Sequence, residues 1–314
     1  MTGAGPALVT SDEGAKVQRL TVKHTTDYSY RRAVKFGEHR LMFRPRDSHD
    51  LRLIDATLTI SPHAELRWLH DVFGNSVTIA KFGSPSEALQ LESQIVIDRY
   101  PIASPEFPIE PYARKIPFSY PASEIPDLGR TIERHYADSD RVVTEWTRRF
   151  LELGGSSDTE KFLRALNTAI RDEFTYSERY ELGVQSPVVT LKARSGSCRD
   201  YALLMMEAVR SVGLAARFVS GYLYDPALDG NESEVTGAGS THAWVQVYLP
   251  GAGWVEFDPT NATVGGHNLV PVAVAREPAQ AMPVSGAFDG SQEDFIQMKV
   301  DVAVHSVRTL QSAA

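Results

Sequence analysis

The chain has 314 residues, 42% hydrophobic and 23% charged, a balance ordinary for a soluble globular protein and long enough for two domains. No apolar run reaches the length of a membrane span, and a net charge of -8 leaves no basic face for phosphates, so neither a membrane nor nucleic acid is expected as a partner. A single cysteine excludes an internal disulfide and cysteine-rich zinc sites.

The start, MTGAGPALVTSDEGAKVQRL, has no basic segment followed by an apolar stretch, so a cytoplasmic location is expected. Residues 1–16 are small and polar without periodicity and read as a flexible arm. From 17 to 100, RLTVKHTTDYSY, DLRLIDATLTISP and LQLESQIVIDRY alternate apolar and polar residues, with turn signals at SPHAE, FGNS and FGSPSE. This predicts an antiparallel β domain. His24, His39, His49, His63 and His70 lack the i, i+4 pairing of a helical zinc site and read as solvated.

Residues 101–138 carry prolines at 101, 105, 108, 111, 117, 121 and 126, which exclude long helices and central strands, and the segment reads as a linker. Helices are predicted near 139–153 and 158–174, with Ser157 or Asp158 capping the second. RSGSCRDYALLMMEAVRSVG then reads as a helix entered at Ser195 or Ser197 and left at Gly213. Cys198, Ala202, Met205, Val209 and Val212 recur at helical spacing, which sets the thiol on an apolar stripe at the helix start. Asp200 in the first turn reads as a partner of the helix dipole.

ARFVSGYLY, HAWVQVYL and WVEFD read as strands, the last two joined by Pro250–Gly253, so a helix faces a sheet. A four-residue loop there sets Leu249 opposite Trp254 and Val245 opposite Asp258, leaving His242 three residues further along. A bulge, a longer loop or a bend is then needed to bring His242 to Asp258. The stretch between the first two strands, DPALDGNESEVTGAGS (225–240), reads as a solvated connector, and residues 266–314 as an extension ending in the strand DFIQMKVDVAVHSV.

A cysteine at a helix N-terminus feels the positive end of the dipole, which favours negative charge on sulfur, although free cysteine is more often inert packing. Two later stretches shift that balance. THAW begins one strand with His242, and FDPTN ends its neighbour with Asp258. A nucleophile needs a base, and the base needs an acceptor that fixes its tautomer. Cys198, His242 and Asp258 supply those types in that order, although each alone has a plainer reading, such as a turn-making Asp before Pro259.

GSCRDYA, RFVSGYL and THAWVQVYLPGAGWVEFDPTN resemble the core of the bacterial transglutaminase-like superfamily, most strongly over 185–262. HTTDYSY, HRLMFRP and DVFGNSV resemble the N-terminal domain that often precedes that core. The resemblance implies an α+β protein: a papain-like transglutaminase core, 139–265, behind the N-terminal antiparallel β domain, 17–100. It also implies Cys198 as nucleophile, His242 as base and Asp258 as orienter of a transglutaminase-like cysteine enzyme.

Such a site opens an amide of a peptide, a protein or another substrate through a thioester. Water as acceptor gives peptide or isopeptide hydrolysis, the first reading; transamidation or deamidation is the alternative, followed by a non-catalytic binding scaffold and an arylamine acyltransferase. The backbone N–H of Cys198 is the natural first oxyanion donor, with Tyr176 and Gln185 as candidates for a second. Trp244 shares the strand face of His242 and is a candidate roof over it. No glycine-rich phosphate loop and no EF-hand loop occurs, so no cofactor and no metal is expected.

Overall fold

The computed structural model describes residues 17–100, 107–152, 155–179, 183–226 and 240–306. The expected arm and most of the 225–240 connector lie outside the described residues. In the strand Gln18–Phe36, Leu20, Val22, His24 and Thr26 are buried at alternate positions, the period of a strand with one face on a core. It pairs antiparallel with Ser86–Arg99, which in turn pairs with Leu51–Ser61. Along its other edge runs Phe295–Ser306, in register from Leu20↔Ser306 to Ser29↔Gln297, with a one-residue shift before Tyr30↔Phe295. The C-terminal extension thus completes the first sheet. A second sheet joins His39–Leu41, Ala64–His70, Ser76–Phe82 and Val284–Ser285.

Two of the histidines read as solvated are buried instead. His24 is 1% exposed, its ring nitrogens 3.0 Å from the Tyr222 hydroxyl and 3.0 Å from Thr26 Oγ1. It occupies an inward position of its strand, where alternation outweighs polarity, and burial lowers it to about 4. His39 is buried on the carbonyl of Gly37, 2.9 Å away.

Between the sheets and the core the described residues form only short pieces, among them the strand Lys115–Ile116 and the helix Ile125–Leu128, as the prolines require. Helices follow at Val142–Arg148 and Thr159–Glu173, the second capped by Asp158, which accepts from the Lys161 N–H at 2.9 Å. A third helix, Pro187–Ala193, was not read from the sequence although its signal was there: Ser186 caps it and Pro187 fills its first position.

The helix Cys198–Ser211 is the centre of the core. From Tyr201 to Val209 every residue is 1% exposed or less, so the apolar stripe expected from spacing is in fact a helix buried all round. The helices Val142–Arg148, Thr159–Glu173 and Pro187–Ala193 and the core strands Ala216–Leu223 and Thr241–Leu249 pack against it. Its buried Glu207 is balanced by Arg210, 3.0 Å away, and accepts from the His135 and Tyr136 backbone N–H groups.

The core sheet is antiparallel, with strands in the order Thr263–Val264, Gly253–Asp258, Thr241–Leu249, Ala216–Leu223, Leu269–Ala275. Its register corrects the sequence reading. Leu249 pairs with Gly253, Tyr248 with Trp254 and Val245 with Phe257, so the connecting loop is Pro250–Ala252, one residue shorter than expected. Gly253, at φ 75°, takes the left-handed conformation that lets it join the strand pair. A one-residue change of register exchanges the faces of every side chain. Continued one step, the observed pairing sets Trp244 opposite Asp258 and makes His242 its diagonal neighbour on the same face. No bulge is needed.

Besides the His24–Tyr222 contact, two more side chains tie the N-terminal sheets to this core. Asn75 exchanges hydrogen bonds with the backbone of Val274 at 2.7 and 2.9 Å, and Arg99 donates to the carbonyls of Leu269 and Gly266 at 2.7 and 2.8 Å.

Candidate active site

The approach to Cys198 is built from short pieces. Arg194, at φ 51°, ends the preceding helix, and Ser195–Gly196 pairs in parallel with Thr175–Tyr176. That pairing sets Tyr176 beside Gly196, two residues before the cysteine. Ser197 caps the central helix, and Cys198 is its first residue, 9% exposed.

Asp200, read as a dipole partner, does more than that. Fully buried, it accepts from the Ser197 N–H (2.9 Å) and hydroxyl (2.8 Å), the Gln185 N–H (2.7 Å) and the Arg179 guanidinium (2.9 and 3.1 Å). Burial alone would raise its carboxyl, but these donors together hold it below the usual carboxylate range. The carboxylate therefore clamps the helix start to the segment before it. Gly196 makes room for this: a Cβ there would lie 2.9 Å from Asp200 Cβ and 3.3 Å from the Tyr201 ring.

His242 is 2% exposed, and its Nε2 lies 2.9 Å from Asp258 Oδ2. Burial pulls the imidazole down. The charge and hydrogen bond of Asp258, and then the contact with Cys198, outweigh it and raise the ring to about 10. The imidazolium is the form present at neutral pH, with Nε2–H directed at the carboxylate. Nδ1 is buried without a hydrogen-bond partner among the described residues and is the nitrogen left for Cys198.

Asp258 is fully buried. Its Oδ1 accepts from the Thr260 N–H at 2.9 Å, and its Oδ2 also accepts from Asn261 Nδ2 at 2.9 Å. Burial opposes its charge, but His242, Asn261 and Thr260 keep its carboxyl below the usual range. The same carboxylate closes the FDPTN turn and meets the imidazole. Thr260 and Asn261 were not singled out from the sequence; the DPTN turn was their signal.

Tyr176 comes to the sulfur as well. Burial, followed by the charges of Cys198 and Glu178, raises its hydroxyl far above its ordinary value, so it stays protonated. Trp244, fully buried, stacks on His242 with ring centroids 6.0 Å apart and planes 27° apart. Gln185 stands elsewhere: its side-chain amide donates to Ser195 O and Asp200 Oδ2, each at 3.4 Å. The site thus brings the Cys198 sulfur, an imidazolium with its anchoring carboxylate, and a protonated phenol together at the start of the central helix.

Residues 147–259 match the transglutaminase-like superfamily, and residues 20–98 match the bacterial transglutaminase-like N-terminal region. The chain is 29% identical over 302 residues to an uncharacterized protein of Mycobacterium tuberculosis, covering 90% of this chain and 92% of that one. Over 67 residues, 21% of this chain and 10% of the relative, it is 36% identical to a protein-glutamine gamma-glutamyltransferase of Pseudomonas aeruginosa. Among solved structures it is similar to a candidate cysteine protease of Cytophaga hutchinsonii, with a TM-score of 0.68, 19% identity and coverage of 94% of this chain and 92% of that chain. That likeness is one of fold and spans both the sheets and the core. No helix among the described residues is long and apolar enough to cross a membrane. The chain therefore belongs to the transglutaminase-like superfamily, with an α+β papain-like core carried behind the bacterial transglutaminase-like N-terminal region.

Proposed function

We propose that the protein is a cysteine enzyme that opens amide bonds through a thioester on Cys198, with water as acceptor, so that the reaction is peptide or isopeptide hydrolysis. The imidazolium of His242 and the helix N-terminus both favour negative charge on the sulfur. The sulfur attacks the amide carbonyl carbon, and the C–N bond breaks as His242 gives its Nδ1 proton to the departing amine. The neutral ring then takes a proton from water, whose oxygen attacks the thioester carbonyl and releases the acid and the thiolate, restoring the thiolate–imidazolium pair.

The oxyanion formed in each half needs donors. The Cys198 N–H, at a helix start where backbone donors have no intrahelical acceptor, is the first, and the protonated Tyr176 hydroxyl is the second. Trp244 covers the imidazole against water. Gln185 serves the architecture, through Asp200.

The observation that carries this reading is the buried His242–Asp258 pair with Nδ1 left open beside Cys198. Burying an ion pair costs several kcal/mol per ion before compensation, and a scaffold without chemistry has no use for one whose outer nitrogen is unpartnered. Transamidation is the second reading, favoured by the segment shared with the glutamyltransferase.

Incubation with a peptide library, with and without an added primary amine and read by mass spectrometry, separates these outcomes. Chain scission marks hydrolysis, amine incorporation marks transamidation, and loss of ammonia alone marks deamidation. All products are expected to vanish in Cys198→Ala. Turnover that survives in that variant, or no product from the wild type, overturns the proposal.

A further inference from the structure

On the face of the core sheet away from the central helix, the sheet and the 46–50 loop of the N-terminal region enclose a cavity of about 690 Å³. Small-molecule sites fall in the range of about 300–1,000 Å³. Arg217, Gln246 and Glu256 line it from the sheet and Arg46 from the loop. Arg217 Nε donates to Gln246 Oε1 at 2.7 Å, Gln246 Nε2 donates to Glu256 Oε1 at 3.1 Å, and the Arg217 guanidinium lies 4.1 Å from the centre of the Trp254 ring. The terminal nitrogens of Arg217 make no hydrogen bond among the described residues, and neither Arg46 nor Arg217 makes an ion pair among them.

Burial first, then repulsion from Arg46, lowers Arg217 to about 10, which leaves it a cation at neutral pH. Glu256, raised to about 7 by burial, carries only part of a negative charge there. Two further acids stand on the loop side of the wall: Asp47, which accepts the Leu53 N–H, and Asp50, which accepts from Ser48 and lies 3.7 Å from Arg99. Arg164, the third arginine of the wall, is paired with Glu160 at 2.8 Å. The exposed Arg46 repels the half-buried Arg217, whose terminal nitrogens have no acceptor among the described residues, so an anion that joins the two is favourable.

We infer that this cavity binds a small organic carboxylate, its charge held by Arg46 and Arg217 and its apolar body set against Trp254 and Val272. The apolar wall selects such an acid over an inorganic anion, and the fork of two guanidiniums selects it over a neutral isostere. The inference is independent of the chemistry at Cys198.

The test titrates the full chain with 4-phenylbutyrate, hexanoate and indole-3-acetate, with 4-phenylbutyramide and inorganic phosphate as controls, by calorimetry and by tryptophan fluorescence. At least one of the acids is expected to bind saturably and at least tenfold tighter than both controls. Arg46→Gln and Arg217→Gln are each expected to weaken it at least tenfold, and Cys198→Ala to leave it unchanged. If Arg217→Gln does not fold, Arg46→Gln decides, because Arg46 is exposed and makes no ion pair among the described residues. No saturable binding by any of the acids, equal binding of the amide or of phosphate, or full affinity in Arg46→Gln overturns the inference.

Discussion

Replacing Asp258 with Asn tests the electrostatics of the site at its root. The rise of His242 from 6.5 to about 10 corresponds to about 5 kcal/mol in favour of the imidazolium. Asp258 supplies the largest contribution in that direction, and burial, the largest influence of all, works against it. With the carboxylate neutralised, burial dominates, and the ring is expected to titrate at or below 6.5 and to be neutral at pH 7. The amide also has one acceptor where the carboxylate uses two. If its oxygen meets Asn261 and His242, its NH2 confronts the Thr260 N–H; if turned over, its NH2 confronts Asn261 and forces the proton of His242 onto Nδ1. Either arrangement leaves a buried donor unpaired, at about 1–3 kcal/mol. NMR titration of the nine histidines, with His242 assigned by substitution, measures the ring directly. Thiol-dependent turnover is expected to fall by about 10²- to 10⁴-fold. A His242 midpoint that stays near 10 in Asp258→Asn refutes this account of the site.

Three further outcomes follow from the fold. His24 sits at about 4 in the native protein against an ordinary 6.5, so on acidification the unfolded chain takes a proton that the native state refuses, and stability falls between pH 6.5 and 4 by about 3 kcal/mol. Urea melts across that window are expected to show a flatter pH dependence in His24→Phe, and an unchanged slope sinks the assignment. Arg210→Ala strips the buried Glu207 of its nearest cation and the carbonyls of Thr131, Ala216 and Arg276 of a donor, at about 3–5 kcal/mol in chemical denaturation; a loss under about 1 kcal/mol contradicts it. Gly196→Ala pushes a methyl into Asp200 and Tyr201, which is expected to cost about 1–3 kcal/mol and to lower turnover by shifting the start of the central helix. Wild-type turnover in a folded Gly196→Ala protein argues that Cys198 does not depend on that packing.

Strands such as Gln18–Phe36 were legible because each has one buried face, and alternation is written into the residue order. Cys198, His242 and Asp258 could be named because all three stand at the ends of recognisable elements. Register was not legible: one residue of loop length decides whether His242 and Asp258 share a face, and PGAG permits either length. Hydrogen-bond partners far along the chain were equally hidden, as Asp200 with Arg179 and His24 with Tyr222 demonstrate, since nothing local marks a polar side chain that packs inward. The final strand was evident as a strand, but its partner, more than two hundred residues earlier, was not.

That last pairing reorders how the polypeptide is assembled. Among the described strands the last, Phe295–Ser306, zips onto the first, so the core is an insert threaded between the early and late portions of a single β layer. Until the ribosome has delivered the closing strand, Gln18–Phe36 offers a bare rim to any neighbouring chain. Trimming the protein at the end of its core would therefore not yield a tidy minimal enzyme but one with an adhesive seam, and severing the proline-rich stretch would leave both halves still stitched together.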